Sequence, residues 1–294
     1  MCGPGRTGTT VLDLMLGNGN NHFSCGEVYA FFRPWRTHHR NPVCSCGNED
    51  CSVWERFSHI RERDFHKTVS DFYNVEWIID SSKELSWLVD TQSWCSDSNI
   101  NVINLLTWKH PIDLCYSHWK RGRGINFWRN RFLIYYSKFI DLKIPFYSIF
   151  IDDLIAAPNL KIKEICDVIG MPYNEGKEKF WEKEHHYLFG SSNVRKQYYL
   201  KTNYKNVGKI THPEFTEIQK DIQDDIINDK KIQDIITILK NHEISNYVTD
   251  KIVHHEYKKP MIMPFWYYTN IITRRYKRFR PEKSQYKDIS KNDV

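Results

Sequence analysis

A glycine-rich segment at the start of the chain constrains its fold more than any other feature. The segment is Gly3-Pro4-Gly5-Arg6-Thr7-Gly8-Thr9-Thr10, and it leads directly into an apolar stretch that begins at Val11. A turn of this kind directs backbone N–H groups at an anion, and the dipole of the following helix favours negative charge there. The spacing is that of the nucleotide-binding loop G-x-x-x-x-G-K-[ST], with Thr9 in the place of the lysine. We therefore predict that this loop binds an anion.

The missing lysine narrows the choice of anion. A nucleoside triphosphatase needs that lysine, together with a metal, on the β- and γ-phosphates. Its absence argues against ATP or GTP as the reacting group. Arg6 lies inside the loop instead, where its guanidinium can donate to two anionic oxygens at once. The residues predicted to contact the anion are Gly5, Arg6, Thr7, Gly8, Thr9 and Thr10.

Apolar strand patterns alternate with helical patterns over the first half of the chain. The predicted strands are 76–79, 101–106 and 147–151, and the predicted helices are 83–91, 112–121 and 126–143. This βαβ alternation is typical of a parallel sheet, in which ligands bind at the carboxyl ends of the strands. Helical spacing returns between 213 and 239. We predict an α/β fold with a P-loop-like central parallel sheet flanked by helices and a helical C-terminal region.

Three further motifs follow the loop. They are Cys25-Gly26-Glu27, then Asp80-Ser81-Ser82-Lys83 after an apolar run, then Lys109-His110-Pro111 with Ser117 eight positions after the lysine. Together with the loop they resemble, in order, the sulfotransferases that use 3′-phosphoadenosine 5′-phosphosulfate (PAPS), in particular bacterial members related to tyrosylprotein and carbohydrate sulfotransferases. The resemblance covers roughly residues 3–200, and a strand-then-helix element at 149–158 extends it.

The resemblance implies transfer of a sulfuryl group from PAPS to the hydroxyl of a carbohydrate, a lipid, a tyrosine or a small alcohol. This is a reaction of the EC 2.8.2 class, which leaves 3′-phosphoadenosine 5′-phosphate (PAP) and requires no metal. It also implies that Glu27 is the catalytic base and that Arg6 and Lys83 hold the 5′-phosphosulfate with the loop amides. Glu27→Gln is therefore expected to keep the shape of the side chain and to remove its ability to act as a base.

The same resemblance assigns the 3′-phosphate to Lys109, Ser117 and Arg195. Lys109 departs from the family pattern, which has arginine there. Lysine keeps the charge but loses the bidentate fork, so we expect binding of the 3′-phosphate to be weaker or shared with Arg195.

Two other functions stay open at the level of sequence. A nucleoside or sugar kinase with a degenerate loop would need Mg²⁺ and an acidic ligand, for which Asp80 or Asp152 could serve. A non-catalytic nucleotide-binding or interaction protein is the second alternative. It is favoured if the short segment before the loop, Met1-Cys2, leaves the first strand truncated. Either that strand is truncated or another segment takes its place.

The predicted organisation is a sulfotransferase domain at 1–210, a helical cap or extension at 211–257 and a basic aromatic tail at 258–294, partly disordered. The chain carries 42 basic and 36 acidic residues, a net charge of +6. That balance suits an anionic nucleotide and an acceptor that can itself be anionic, and it is too small to indicate nucleic acid. Contact of the tail with a membrane surface is the less favoured interpretation, and the sequence does not indicate an oligomeric state. In the absence of a visible signal or membrane span, the default location is cytoplasmic, and a signal or anchor upstream stays open.

Cysteine and histidine clusters complete the candidates. Cys44, Cys46 and Cys51 have a C-x-C-x₄-C spacing, which leaves three interpretations open. Reduced structural thiols rank first, a disulfide second and zinc last, because structural zinc sites prefer C-x₂₋₄-C pairs. The pairs His38-His39 and His185-His186 could supply a base or ligands, and solvated loop histidines are the favoured interpretation.

Overall fold

The structure is a computed structural model that describes residues 1–48, 50–124, 126–191, 194, 216–247, 257 and 259–279. Its strands are β1 (His22–Gly26), β2 (Trp77–Asp80), β3 (Leu105–Trp108) and β4 (Tyr147–Phe150). Its helices in the first half of the chain are α1 (Thr9–Gly17), α2 (Val28–Phe32), α3 (Phe65–Tyr73), α4 (Leu85–Asp97), α5 (Pro111–Trp119) and α6 (Phe127–Asp141). The later helices are α7 (Ile151–Ala156), α8 (Pro158–Ile169), α9 (Thr216–Asn228), α10 (Lys230–Asn241) and α11 (Phe265–Phe279).

The predicted α/β class with parallel strands and a helical C-terminal region is confirmed. β1 pairs in parallel with β2, and β3 pairs in parallel with β4. The backbone pairing of these strands falls into two two-stranded sheets rather than one ladder. β1 was not among the predicted strands, and β3 begins near the end of the predicted run 101–106.

The chain divides into two compact units. Unit 1 is drawn from Met1–Thr9, Ile103–Glu175 and Asn206–His255, and unit 2 from Thr10–Val102, Gly176–Lys205 and Glu256–Val294. The division falls inside α1, directly after Thr9. Each unit therefore contains one parallel strand pair and part of the glycine-rich segment.

In unit 1, Cys2 occupies the position of a first strand beside β3. Its N–H donates to the carbonyl of Leu105 at 2.8 Å, and its carbonyl accepts from the N–H of Thr107 at 2.9 Å. This is the parallel bridge between Cys2 and Leu106. The loop that starts at Gly3 is thus attached to the neighbouring strand by two backbone hydrogen bonds. On the other side of β4, Ser148 forms a similar bridge with Glu243.

Unit 2 is built around β1 and an aromatic core. All five residues of β1 are buried, as expected for a strand covered on both faces. Next to the end of β1, Leu188 forms a parallel bridge with Gly26. The core beneath the strands includes Trp54, stacked on Phe65 with ring centroids 5.9 Å apart, and Trp87.

Part of the predicted tail is ordered as α11. Tyr267 of this helix is buried, and its hydroxyl donates to Oδ1 of Asp90 at 2.5 Å in unit 2. Lys259 Nζ lies 3.1 Å from the same oxygen. Across the described ranges, no helix combines the length and the apolar character that crossing a membrane requires. Contact of this tail with a membrane surface stays a prediction.

Candidate active site

Hydrogen bonds to side chains of unit 1 hold the shape of the glycine-rich loop. The N–H of Gly3 donates to the hydroxyl of Tyr135 at 2.9 Å. The buried hydroxyl of Thr7 donates to the carbonyl of Pro4 at 2.8 Å and lies 2.8 Å from the hydroxyl of Thr107 on β3. The side chain of Thr7 therefore fastens the loop to the strand, and the predicted contact of Thr7 with the anion stays a prediction.

The loop backbone adopts left-handed conformations at two positions. Gly8 has a φ of +76°, and an added Cβ there would lie 2.3 Å from Cγ1 of Ile151. Arg6 has a φ of 86°, which is costly for a residue with a side chain. Such strain is found at functional sites, where the surrounding structure maintains it. Gly5 is exposed, and a Cβ there would meet nothing within 4 Å, so the loop is open on that side.

Lys109 follows β3 and approaches the same region of unit 1. Burial lowers the pKa of Lys109, and the positive charge of Arg6 lowers it further. The carboxylates of Asp113 and Asp152 act in the opposite direction. Arg6 and Lys109 both belong to unit 1, and the charge of Arg6 acts on Lys109.

The start of α5 explains the Lys109-His110-Pro111 motif. Pro111 occupies the first helical position, where its missing N–H costs nothing. His110 precedes it, and its Nδ1 accepts a hydrogen bond from the N–H of Ile112 at 3.3 Å. Ser117 lies two turns along this helix and is half-buried. The helix thus fixes both Lys109 and Ser117 relative to the end of β3.

His118, which the sequence did not single out, is a buried histidine whose pKa is affected by four arginines. The side chain is buried, and burial lowers its pKa to about 4, with contributions from Arg123, Arg131, Arg6 and Arg121 in that order. Four guanidinium groups that act on one imidazole create a strongly positive potential, which favours a polyanionic ligand. The signal in the sequence is the basic and aromatic run 119–131, which contains three of these four arginines.

Glu27 and Lys83 form an ion pair in unit 2. Glu27 directly follows β1, and Lys83 lies three residues after β2, so both are at the carboxyl end of this parallel pair. Lys83 Nζ is 2.5 Å from Oε1 of Glu27, and both side chains are about one-fifth exposed, 18% and 22%. Among the residues that the structure describes, none donates a hydrogen bond to Oε2 of Glu27.

Gly26 determines the backbone position of Glu27. It has a φ of +72°, and an added Cβ would lie 2.1 Å from the carbonyl oxygen of Leu188. That oxygen accepts from the N–H of Glu27 at 3.0 Å, while the N–H of Leu188 donates to Cys25 O at 3.1 Å. The N–H of Ser81 donates to the carbonyl of Gly26 at 2.8 Å. The glycine of this motif is therefore required by close packing of three backbone segments.

Asp80 organises the Asp-Ser-Ser-Lys motif. Its Oδ1 accepts from the N–H of Ser82 at 2.9 Å and from the Ser82 hydroxyl. Its Oδ2 accepts from Trp87 Nε1 at 2.8 Å and lies 3.2 Å from His66 Nε2. Burial alone would raise the pKa of Asp80, and the hydrogen bond and charge of His66 lower it below its ordinary value. Both oxygens are engaged, so Asp80 is poorly suited to be the metal ligand that a kinase would need.

A second carboxyl group connects this motif to α1. Asp13 is buried and accepts hydrogen bonds from the hydroxyls of Ser24 and Ser81, the latter at 2.5 Å. Burial raises the pKa of Asp13 to about 6, although the two serines oppose the shift. Asp13, β1 and the loop after β2 are therefore joined through short polar contacts inside unit 2.

Of the remaining predicted contacts, Thr9 is buried at the start of α1 in unit 1, and Thr10 lies in unit 2. The hydroxyl of Thr10 accepts a hydrogen bond from the N–H of Ser191 at 3.1 Å. Arg195 lies outside the described residues. The structure thus brings Arg6 together with Lys109 in unit 1, and Glu27 together with Lys83 in unit 2.

The three clustered cysteines are accompanied by a histidine. The ligand atoms of Cys44, Cys46, Cys51 and His186 all lie within 4.8 Å of one another in unit 2, and the three cysteines are free. The sequence interpretation of His185-His186 as solvated is wrong for His185, which is buried with Nε2 3.0 Å from the carbonyl of Phe180. Burial lowers the pKa of His185 to about 4.

Comparison with known proteins bears on the fold. The structure is similar to a sulfotransferase domain from the curacin biosynthetic pathway, with a TM-score of 0.50 and 14% identity over 81% of this chain and 95% of that domain. A sulfotransferase domain from the olefin synthase of Synechococcus PCC 7002 gives a TM-score of 0.49 at 14% identity, over 76% of this chain and 92% of that one. No protein-family model and no curated protein matches the chain. The chain therefore shares the α/β fold of the curacin-pathway domain.

Proposed function

We propose that the protein is a sulfotransferase that moves a sulfuryl group from PAPS to an acceptor hydroxyl and leaves PAP. The observation that carries the proposal is the conformation of Arg6 in the glycine-rich loop, at a φ of 86°, together with its charge, which lowers the pKa of both Lys109 and His118. An arginine in a glycine-rich loop, with further cations on the next strand end and helix, fits a ligand with two separate anionic groups. The fold shared with a sulfotransferase domain supports the same assignment.

The chemistry requires charge to be stabilised on the leaving oxygen. As the acceptor oxygen bonds to sulfur, the bond between sulfur and the phosphate oxygen breaks, and negative charge grows on PAP. In the proposal, Arg6 and the loop amides bind the 5′-phosphosulfate, and Lys109 and Ser117 bind the 3′-phosphate. Lys83 is proposed to add positive charge at the reacting group once the acceptor engages Glu27.

Glu27 is proposed as the base. Its carboxylate would take the proton of the acceptor hydroxyl on Oε2, while Oε1 stays bound to Lys83. Gly26 and Leu188 hold its backbone, so the carboxylate is presented from a rigid strand end. The proposed acceptor classes are carbohydrate, lipid, tyrosine and small alcohol, and the proposed family relation is to bacterial tyrosylprotein-like and carbohydrate sulfotransferases.

A binding experiment tests the donor. The melting temperature should rise when PAP is added, because ligand binding stabilises the folded state. It should rise much less with ATP or with ATP plus Mg²⁺. Arg6→Ala should abolish the PAP shift and leave the melting temperature of the free protein unchanged. A shift with ATP and Mg²⁺ alone would favour a kinase, and unchanged PAP binding in Arg6→Ala would remove the loop from the proposal.

A kinetic experiment tests the base. Glu27→Gln keeps the shape and removes the charge, so we expect PAP binding to persist and sulfuryl transfer to fall about 10²–10⁴-fold. The matched control is Glu62→Gln, which breaks a different ion pair, with Arg33, in the same unit. Equal transfer rates per folded molecule in Glu27→Gln and wild type would refute the assignment.

A further inference from the structure

The cluster of Cys44, Cys46, Cys51 and His186 has the dimensions of a four-coordinate metal site. Nδ1 of His186 lies 3.5 Å from Sγ of Cys44 and 3.5 Å from Sγ of Cys51. A tetrahedral zinc with bonds of about 2.3 Å to sulfur and about 2.0–2.1 Å to nitrogen separates its sulfur and nitrogen ligands by about 3.6 Å. The two observed edges agree with that geometry.

The histidine is oriented as a metal ligand. Nε2 of His186 lies 3.2 Å from Oε1 of Glu184, which is the usual outer partner of a metal-binding imidazole. A proton on Nε2 that is donated to this carboxylate leaves Nδ1 unprotonated and directed at the sulfurs. The tautomer required for metal binding is therefore the one that the neighbouring carboxylate favours.

The two segments that supply the ligands are held together by other bonds. The N–H of Ser45 donates to the carbonyl of Tyr187 at 3.1 Å, and the Ser45 hydroxyl donates to the carbonyl of His185 at 2.5 Å. The indole N–H of Trp54 donates to the carbonyl of His186. Cys44 is part of the aromatic core of unit 2, and Cys46 and Cys51 pack against it. The ligands are thus preorganised by contacts that do not depend on a metal.

We propose that Cys44, Cys46, Cys51 and His186 bind one Zn²⁺ in a structural site. Three thiolates and one imidazole in a tetrahedron select zinc over the hard cations, which take oxygen ligands. Four protein ligands leave no open position, so this zinc takes no part in sulfuryl transfer. The sequence ranked zinc last because the C-x-C-x₄-C spacing is irregular for a structural zinc site. The fourth ligand, His186, is 135 residues from Cys51 and so does not show in the local spacing.

The site would stabilise the segment that holds Glu27. His186 is two residues before Leu188, whose backbone brackets Gly26 and accepts from the N–H of Glu27. Binding of zinc ties the 44–51 segment to this strand end and restricts its motion. Loss of zinc is therefore expected to loosen the position of Glu27, while the metal content itself is independent of whether the protein transfers sulfuryl groups.

Metal analysis of the full chain tests the proposal. Protein purified from zinc-supplied cells and desalted in metal-free buffer should contain about one zinc per chain by elemental mass spectrometry, as a closed four-ligand site predicts. Cys51→Ser should lose it. The matched control is Cys95→Ser, which alters another free cysteine of unit 2 and should keep its zinc. Wild type that contains no zinc and takes up none from added Zn²⁺ would overturn the proposal, as would equal zinc in the two variants.

Two further measurements keep the test decisive if Cys51→Ser does not fold. Glu184→Gln changes a largely exposed side chain and should weaken zinc retention against a chelator by about 10–100-fold, whereas Glu182→Gln should not. Co²⁺ in place of zinc in the wild-type protein should give the intense visible bands of a tetrahedral thiolate site. Equal retention in the two glutamine variants, the weak bands of an octahedral site, or a disulfide among these cysteines in the purified protein would each refute the assignment.

Discussion

Replacing Gly26 with alanine tests whether backbone packing at the end of β1 positions Glu27. The added Cβ would lie 2.1 Å from the carbonyl oxygen of Leu188 and 2.9 Å from its nitrogen, both of which are backbone atoms. Leu188 must therefore move, and the two hydrogen bonds that flank it, to Glu27 N–H and Cys25 O, lengthen or break. The left-handed φ of +72° adds a separate cost for any residue with a side chain.

The size of the effect follows from these two terms. The left-handed conformation costs about 1–2 kcal/mol and the loss of two hydrogen bonds about 1 kcal/mol each, so Gly26→Ala should lose about 3–4 kcal/mol of unfolding free energy. Gly176→Ala is the matched control in unit 2. It has a φ of +81°, and its nearest neighbour is the flexible end of Lys179 at 3.9 Å. It should therefore lose only the conformational term of about 1–2 kcal/mol.

The first assay is urea denaturation of both variants, which gives the free energy of unfolding of each. The second is the rate of sulfuryl transfer, measured without urea at a temperature at which both variants are folded. We expect Gly26→Ala to be the less stable variant and to lose transfer activity out of proportion to its folded fraction, because Glu27 is displaced with the strand end. Gly176→Ala should keep its activity per folded molecule. Equal stability losses in the two variants would show that Leu188 yields without cost and would refute the packing argument.

Three other predictions concern titration and donor binding. Because burial raises the pKa of Asp13 to about 6 from an ordinary 3.8, its contribution to stability is complete below about pH 4 and is lost as pH rises through 6. Wild type should therefore lose about 2–2.5 kcal/mol more than Asp13→Asn between about pH 4 and pH 7 in denaturation experiments, and parallel pH profiles would contradict this. The pKa of His118, about 4 in the free protein, should rise by at least about 1 when PAP neutralises the charge of the arginines that act on it. NMR titration measures this pKa, and the His118→Gln variant identifies the His118 signal. An unchanged pKa would show that the anion binds elsewhere. Lys109→Ala and Ser117→Ala should each weaken PAP binding by about 1–3 kcal/mol in calorimetry and leave binding of adenosine 5′-phosphosulfate unchanged, whereas equal losses for both ligands would assign these residues to the fold.

The local chemistry of the motifs could be predicted from sequence because it depends on neighbouring residues. A glycine-rich turn before an apolar helix needs no distant partner to be recognised, and the same is true of Pro111 at the start of α5. β2 and β4, in which three of the four residues are apolar or aromatic, were predicted close to their observed bounds. The parallel α/β class followed from their alternation with helices.

β1 was missed because its sequence, His-Phe-Ser-Cys-Gly, lacks an apolar run. Its polar residues are buried with partners that come from elsewhere in the chain. His22 contacts Lys177 at 2.9 Å, and the hydroxyl of Ser24 donates to Asp13. Polar side chains can occupy a buried strand only when such partners are supplied, and single-sequence patterns do not show them.

The sequence by itself identified the candidates for chemistry: Arg6 in the loop, Glu27 after a glycine, Lys83 and Lys109 at predicted strand ends, and three closely spaced cysteines. Only the tertiary structure decided how they are paired. It joined Glu27 to Lys83, gathered Arg6 with Lys109 in one unit, and completed the cysteine cluster with His186. The physical reason is that residue type and local spacing set what a side chain can do, whereas charge pairing, pKa shifts and metal geometry depend on distances of a few ångströms between segments far apart in sequence.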